Sequence, residues 1–95
     1  MKNDELIQVG SFGPPQGLKG YIKINIFTFD LNSFKNLKEY NLDDFKSKII
    51  FKSIKKIGKK YVASLKGCDN RNVALDYKGK NIFVLKENFP ETKKN

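Results

Sequence analysis

Ninety-five residues give room for one domain, and folding at this size buries only about 60–65% of the unfolded chain's surface, so the core is thin. An apolar share of 39% with eight Phe and four Tyr excludes a disordered chain; with no apolar run near the roughly 18 residues of a membrane span, and no apolar stretch in Met1-Lys2-Asn3-Asp4-Glu5 to act as a signal peptide, the chain is expected in the cytosol. The formal charge of +9, with no histidine to titrate near neutrality, attracts phosphate, acidic protein or anionic lipid, with nucleic acid foremost.

Leu6 to Val9 alternates enough for a short strand, and Gly10 through Gly20, full of chain breakers, reads as a shaped loop. From Leu18 to Thr28 alternation is strict, with Leu18, Gly20, Ile22, Ile24 and Ile26 on one face and Lys19, Tyr21, Lys23 and Asn25 on the other. Asp30 to Leu37 suits a single helical turn behind an Asp, Asn or Ser cap. Ser47 to Ile57 reads as one strand, Gly58-Lys59 as a two-residue hairpin loop of the Gly-first kind, and Tyr61 to Lys66 as the return strand. Asp69 is placed to cap a helix over 70–78, with Gly79 as its left-handed terminator, and Asn81 to Lys86 is a last strand. The expected organisation is a tail at 1–5, one domain at 6–87 and a linker at 88–95. Short antiparallel strands in so thin a domain are best accommodated by a closed or nearly closed barrel, since closure removes strand edges.

The Gly/Pro-rich turn offers Gly13, Pro15, Gly17, Leu18 and Gly20 as a rigid structural loop. It runs into a strand instead of a helix, which argues against a phosphate cradle. Lys19, Tyr21 and Lys23 place an aromatic about 7 Å from the cation on either side of it, a spacing that tracks a nucleic-acid backbone or faces acidic protein; a solvated, partnerless face fits the same pattern. Lys52, Lys55, Lys56, Lys59 and Lys60 form a second basic cluster. All but one of the 19 basic residues are Lys, which compositional drift in an AT-rich genome also produces. Asp30, Asp43 and Asp44 have no catalytic spacing, and the lone Cys68 has neither disulfide partner nor histidine to activate it, so it is read as core filler. With no His and one Cys, no metal site is expected, and no catalysis or cofactor either.

Val9-Gly10, Gly13-Pro14-Pro15-Gln16-Gly17-Leu18-Lys19-Gly20, Ile22-Lys23-Ile24, Thr28 and Asp30 resemble the N-terminal signature of the RimM family of ribosome maturation factors. Leu65-Lys66-Gly67, Asp69, Arg71, Ala74, Gly79 and Ile82-Phe83-Val84 resemble its second block, and the resemblance spans about residues 6–86. Gln16 stands where the family usually has His, and Tyr21 where it often has Glu. The resemblance implies a closed six-stranded antiparallel β-barrel, similar to those of translation factors, with one short helix. It implies a monomeric cytoplasmic assembly factor, acting by binding in late maturation of the small-subunit head and in 16S rRNA processing. The implied partners are the small ribosomal subunit, its 16S rRNA and its ribosomal protein number nineteen, with no membrane and no small-molecule substrate. The family carries a second, C-terminal β-barrel domain, so these 95 residues are expected to correspond to its N-terminal half.

Lys19, Lys23 and Arg71, with Tyr21, are the side chains expected at the interface. Arg71, a cation at a helix start, opposes the dipole and therefore needs a specific partner, either an internal carboxylate or the ribosome. The alternatives are a stand-alone translation-factor-like barrel that binds protein without RNA and, more distantly, a flavin-reductase-type barrel fragment.

Overall fold

The computed structural model describes residues 6–42 and 47–86. The expected tail at 1–5 and linker at 88–95, together with Asp43 and Asp44, lie outside the described residues. In chain order the elements are β1 (Leu6–Pro15), β2 (Ile22–Ile26), α1 (Leu31–Lys35), β3 (Tyr40–Asn41), β4 (Lys48–Ile49), β5 (Phe51–Ile57), β6 (Lys60–Leu65), α2 (Arg71–Leu75) and β7 (Asn81–Leu85). They form one antiparallel sheet in the order β4-β3-β7-β1-β2-β6-β5.

Among the described residues the fold is all-β and antiparallel with two short helices, and it corrects the closed six-stranded barrel with one helix: seven strands are present there and their ladder does not close. The single strand expected over Ser47–Ile57 breaks at Ile50. Its first part pairs with β3 and its second with β6, so the two pieces become the opposite edges of the sheet, joined by one residue. Phe51 spans the gap from the inside, its ring 4.9 Å from Tyr40, 5.7 Å from Phe34 and 6.3 Å from Phe12. These aromatic contacts bring residues of β1, α1, β3 and β5 together in one core.

β1 is longer than the sequence pattern indicates. Residues 10–15, read as loop, are extended, because Gly10 to Ser11 pairs with both β2 and β7 while Pro14-Pro15 runs past the end of β7, where proline's missing N–H leaves no bond unmade. Gly10 is small for a packing reason: a Cβ there would sit 2.5 Å from the Asn25 carbonyl oxygen of β2.

On β2, Ile22 and Ile24 face the core, fully buried with Val9, Phe12, Leu65, Ile82 and Val84. Leu18, assigned to that apolar face, is 76% exposed, since β2 starts only at Ile22. Gly58 has φ +64° in the turn between β5 and β6, as the Gly-first hairpin requires. Asp30 caps α1, its side chain accepting from the Ser33 N–H at 2.8 Å. α2 is shorter than the predicted 70–78 and its cap is Asn70 instead of Asp69, with the Asn70 side chain accepting from the Val73 N–H at 3.0 Å. The chain then leaves through turns to Gly79, which is left-handed as expected. No helix among the described residues is long and apolar enough to cross a membrane.

Candidate nucleic-acid interface

The Gly17–Gly20 segment is clamped at both ends and from the side. The Gln16 N–H donates to the Tyr21 carbonyl at 2.8 Å, closing the turn. The Arg71 backbone N–H donates to the Leu18 carbonyl at 3.1 Å, and the Arg71 guanidinium to the Gly17 carbonyl at 3.1 Å. Cys68 donates its thiol to the Gly20 carbonyl at 3.4 Å. Gly20 has φ +89°, and a Cβ on it would stand 2.3 Å from the Cys68 carbonyl oxygen, so both its conformation and its proximity to the 68–70 segment require glycine.

Arg71 therefore finds its internal partner in a backbone carbonyl instead of the carboxylate weighed for it. Its cation at the start of α2 is offset by a charge-assisted bond into the loop. Burial is the main cause that pushes the Cys68 thiol up from its ordinary value, with Asp69 and Asp76 adding to it against a smaller opposing effect of Lys52. A buried, protonated thiol bonded to a carbonyl fits the reading of Cys68 as a packing residue.

Of the three residues expected in a row, only Tyr21 and Lys23 share the face next to the strands. Lys19 lies in the bend ahead of β2, exposed. Lys23 is half-buried, its stem lying over Gly13, where an added Cβ would come within 3.3 Å of the Lys23 Cδ. Gly13 thus gives the lysine stem a bed, and Pro15, buried opposite Ile22, holds the approach to the turn.

Register joins this strand face to the second basic cluster. Lys23 pairs with Val62, and Val62 pairs in turn with Lys55, so the two lysines flank a valine across three strands, about 10 Å apart at standard strand spacing. Tyr21, Ser53, Lys55, Ile57 and Val62 line a shallow cleft of about 110 Å³ on this face. Lys60, opposite Ile57, donates to the Gln16 side-chain oxygen at 3.2 Å and connects the face to the Gly17 loop. A half-exposed tyrosine beside lysines can stack a base while the ammonium groups hold phosphates.

Lys55 and Lys60 of the second cluster therefore share one surface with Lys23. What joins them is the pairing of β2 with β6, a contact across some 40 residues of sequence that leaves no local signal. Alternation along β5 turns Lys56 to the other face. Lys52 lines a separate groove of about 490 Å³ at the sheet's open seam, with Lys35, Lys48, Tyr40 and Ile50.

Comparison with known proteins places this architecture. The family model described as the RimM N-terminal domain matches residues 7–89. The chain belongs to the RimM family. It is 33% identical over 90 residues to the ribosome maturation factor RimM of Clostridium acetobutylicum, a match covering 95% of the chain and 53% of that protein. It is 32% identical over 88 residues to the factor of the same name from Clostridium botulinum, covering 93% and 52%. The chain thus spans about half the length of these curated RimM relatives.

Among solved structures, a putative 16S ribosomal RNA processing protein RimM from Pseudomonas aeruginosa superposes with a TM-score of 0.80 at 25% identity, over 90% of the chain and 54% of that one. The N-terminal domain of RimM from Thermus thermophilus superposes with a TM-score of 0.72 at 20% identity, over 90% of the chain and 94% of that domain, a likeness of fold. The resemblance carried by the Gly13–Gly20 turn and by the block around Arg71 is thereby established as membership of the family, and these two blocks are the ones that bond to each other in the fold.

Proposed function

We propose that this chain acts by binding in maturation of the small ribosomal subunit, assisting late assembly of the head and 16S rRNA processing, with rRNA held on the face that carries Tyr21, Lys23, Lys55 and Lys60. Ribosomal protein number nineteen belongs to the same proposal as a partner of the whole factor. The observation that carries the reading is the row Lys23–Val62–Lys55 with Tyr21 beside it: cations about two strand spacings apart on either side of a valine, an aromatic at their flank, on a chain of charge +9. Lys19 extends the positive field from the neighbouring bend. Three lysine–phosphate contacts give a slope of about −2 to −3 in log affinity against log salt, hence roughly a 20- to 40-fold loss between about 50 and 200 mM salt.

The test is co-sedimentation with free small subunits across that salt range. Wild-type protein is expected to sediment at low salt and be lost steeply, and the Lys23→Glu, Lys55→Glu double variant to be lost already at low salt while melting as wild type does. A folded double variant that sediments normally removes the proposed face. A wild-type affinity flat in salt favours an apolar protein interface without RNA.

A further inference from the structure

Leu18 stands out into water on a loop whose backbone is bonded on both sides of it. The side chain is 76% exposed. Its own carbonyl accepts from the Arg71 N–H, the carbonyl before it from the Arg71 guanidinium, and Gly20 beyond it is wedged against the backbone of Cys68. Lys19 follows directly, exposed. Leu75, itself 46% exposed, stands one turn along α2 from Arg71 and on the same helix face. The result is an aliphatic point set among cations on a backbone ordered before any partner arrives, which lowers the entropy cost of association.

From this we propose that Leu18 is the anchor of a second interface, separate from the lysine face, which docks into an apolar pocket with an acidic rim on a protein component of the small subunit. A protein fits better than RNA because a branched aliphatic side chain has no ring to stack on a base and no group to bond a base edge, whereas it fills an apolar pocket. The acidic rim follows from exposed Lys19 next to Leu18 on a chain of charge +9. Arg71 is a positioning residue here: it acts on the partner through the Gly17 and Leu18 carbonyls that it holds.

This inference rests on the small-subunit reading above, and one experiment separates the two. The protein is sedimented with free small subunits as wild type, as Leu18→Ala and as Arg71→Lys, and a diazirine analogue of leucine is placed at position 18 for photocross-linking in the same mixture. Leu18→Ala is expected to bind about 30-fold more weakly, the ratio that a 2 kcal/mol hot spot gives, with an unchanged slope against salt and an unchanged melting temperature. Arg71→Lys is expected to weaken binding in the same direction, because a single ammonium point charge does not reproduce the planar donor fork. The cross-link is expected on a subunit protein.

Wild-type protein that fails to sediment refutes the small-subunit reading and this inference with it. Wild-type protein that sediments while a folded Leu18→Ala does so equally well overturns the anchor alone. A cross-linked product that ribonuclease degrades, or no product with binding retained, also overturns it.

Discussion

Replacing Gly20 and Gly17 by alanine separates two reasons for glycine that sit three residues apart in one turn. Both have positive φ, +89° and +81°, so each alanine adopts a conformation costing about 1–2 kcal/mol, and each loses the same backbone freedom in the unfolded chain. The difference is space. At Gly17 nothing lies within 4 Å of the added methyl, whereas at Gly20 it meets the Cys68 oxygen at 2.3 Å, the Cys68 carbon at 2.9 Å and the Asn70 nitrogen at 3.0 Å. These are backbone atoms that cannot rotate away. To admit the methyl, the 68–70 segment must withdraw, weakening the bonds from Arg71 to the Leu18 and Gly17 carbonyls and from Cys68 to Gly20, at about 1 kcal/mol each.

Gly17→Ala is therefore expected to cost about 1–2 kcal/mol and Gly20→Ala about 3–5. The larger figure is a substantial part of the roughly 5–14 kcal/mol that a domain of this size commands. In thermal melts followed by circular dichroism, at about 4–8 °C per kcal/mol, the two variants should separate by roughly 10–20 °C. Equal melting temperatures would show that the close approach of Gly20 to Cys68 does not govern the turn.

Two further outcomes bear on stability. Burial holds the Tyr40 phenol up at about 12, against a smaller lowering effect from the Leu37 backbone, so folding favours its neutral form. That contribution is complete below the ordinary value near 10 and disappears as pH rises through about 12; Tyr40→Phe should remove the most alkaline step of the phenolate absorbance titration, and an unchanged titration counts against the assignment. Asn70→Ala removes the acceptor for the Val73 N–H and should lower stability by about 1 kcal/mol, with Asn70→Asp restoring most of it in the same melts, whereas identical melts for all three proteins would deny Asn70 its capping role.

The local sequence determined what depends on near neighbours. Alternation at Ile22 and Ile24 fixed the buried face of β2, Gly58-Lys59 fixed the hairpin, and Asp30 with the residues behind it fixed a helical turn. Gly13 to Gly20 and the block around Arg71 were sufficient to identify the family, because backbone positions with no room for a Cβ or no tolerance for another φ leave few residue choices.

Tertiary structure decided the rest. Proline and glycine in residues 10–15 read as loop, yet pairing with β2 and β7 made them strand, and the break at Ile50 became visible only because β4 and β5 pair with different partners. It is also what took Leu18 out of the apolar stripe and into water, found Arg71 a carbonyl in place of a carboxylate, and put Lys55 on the same face as Lys23 across Val62. Each of these turns on a contact between residues distant in the chain. Periodicity and turn chemistry report only the few residues on either side, so the sequence specifies which face of a strand is apolar but not which strand lies next to it.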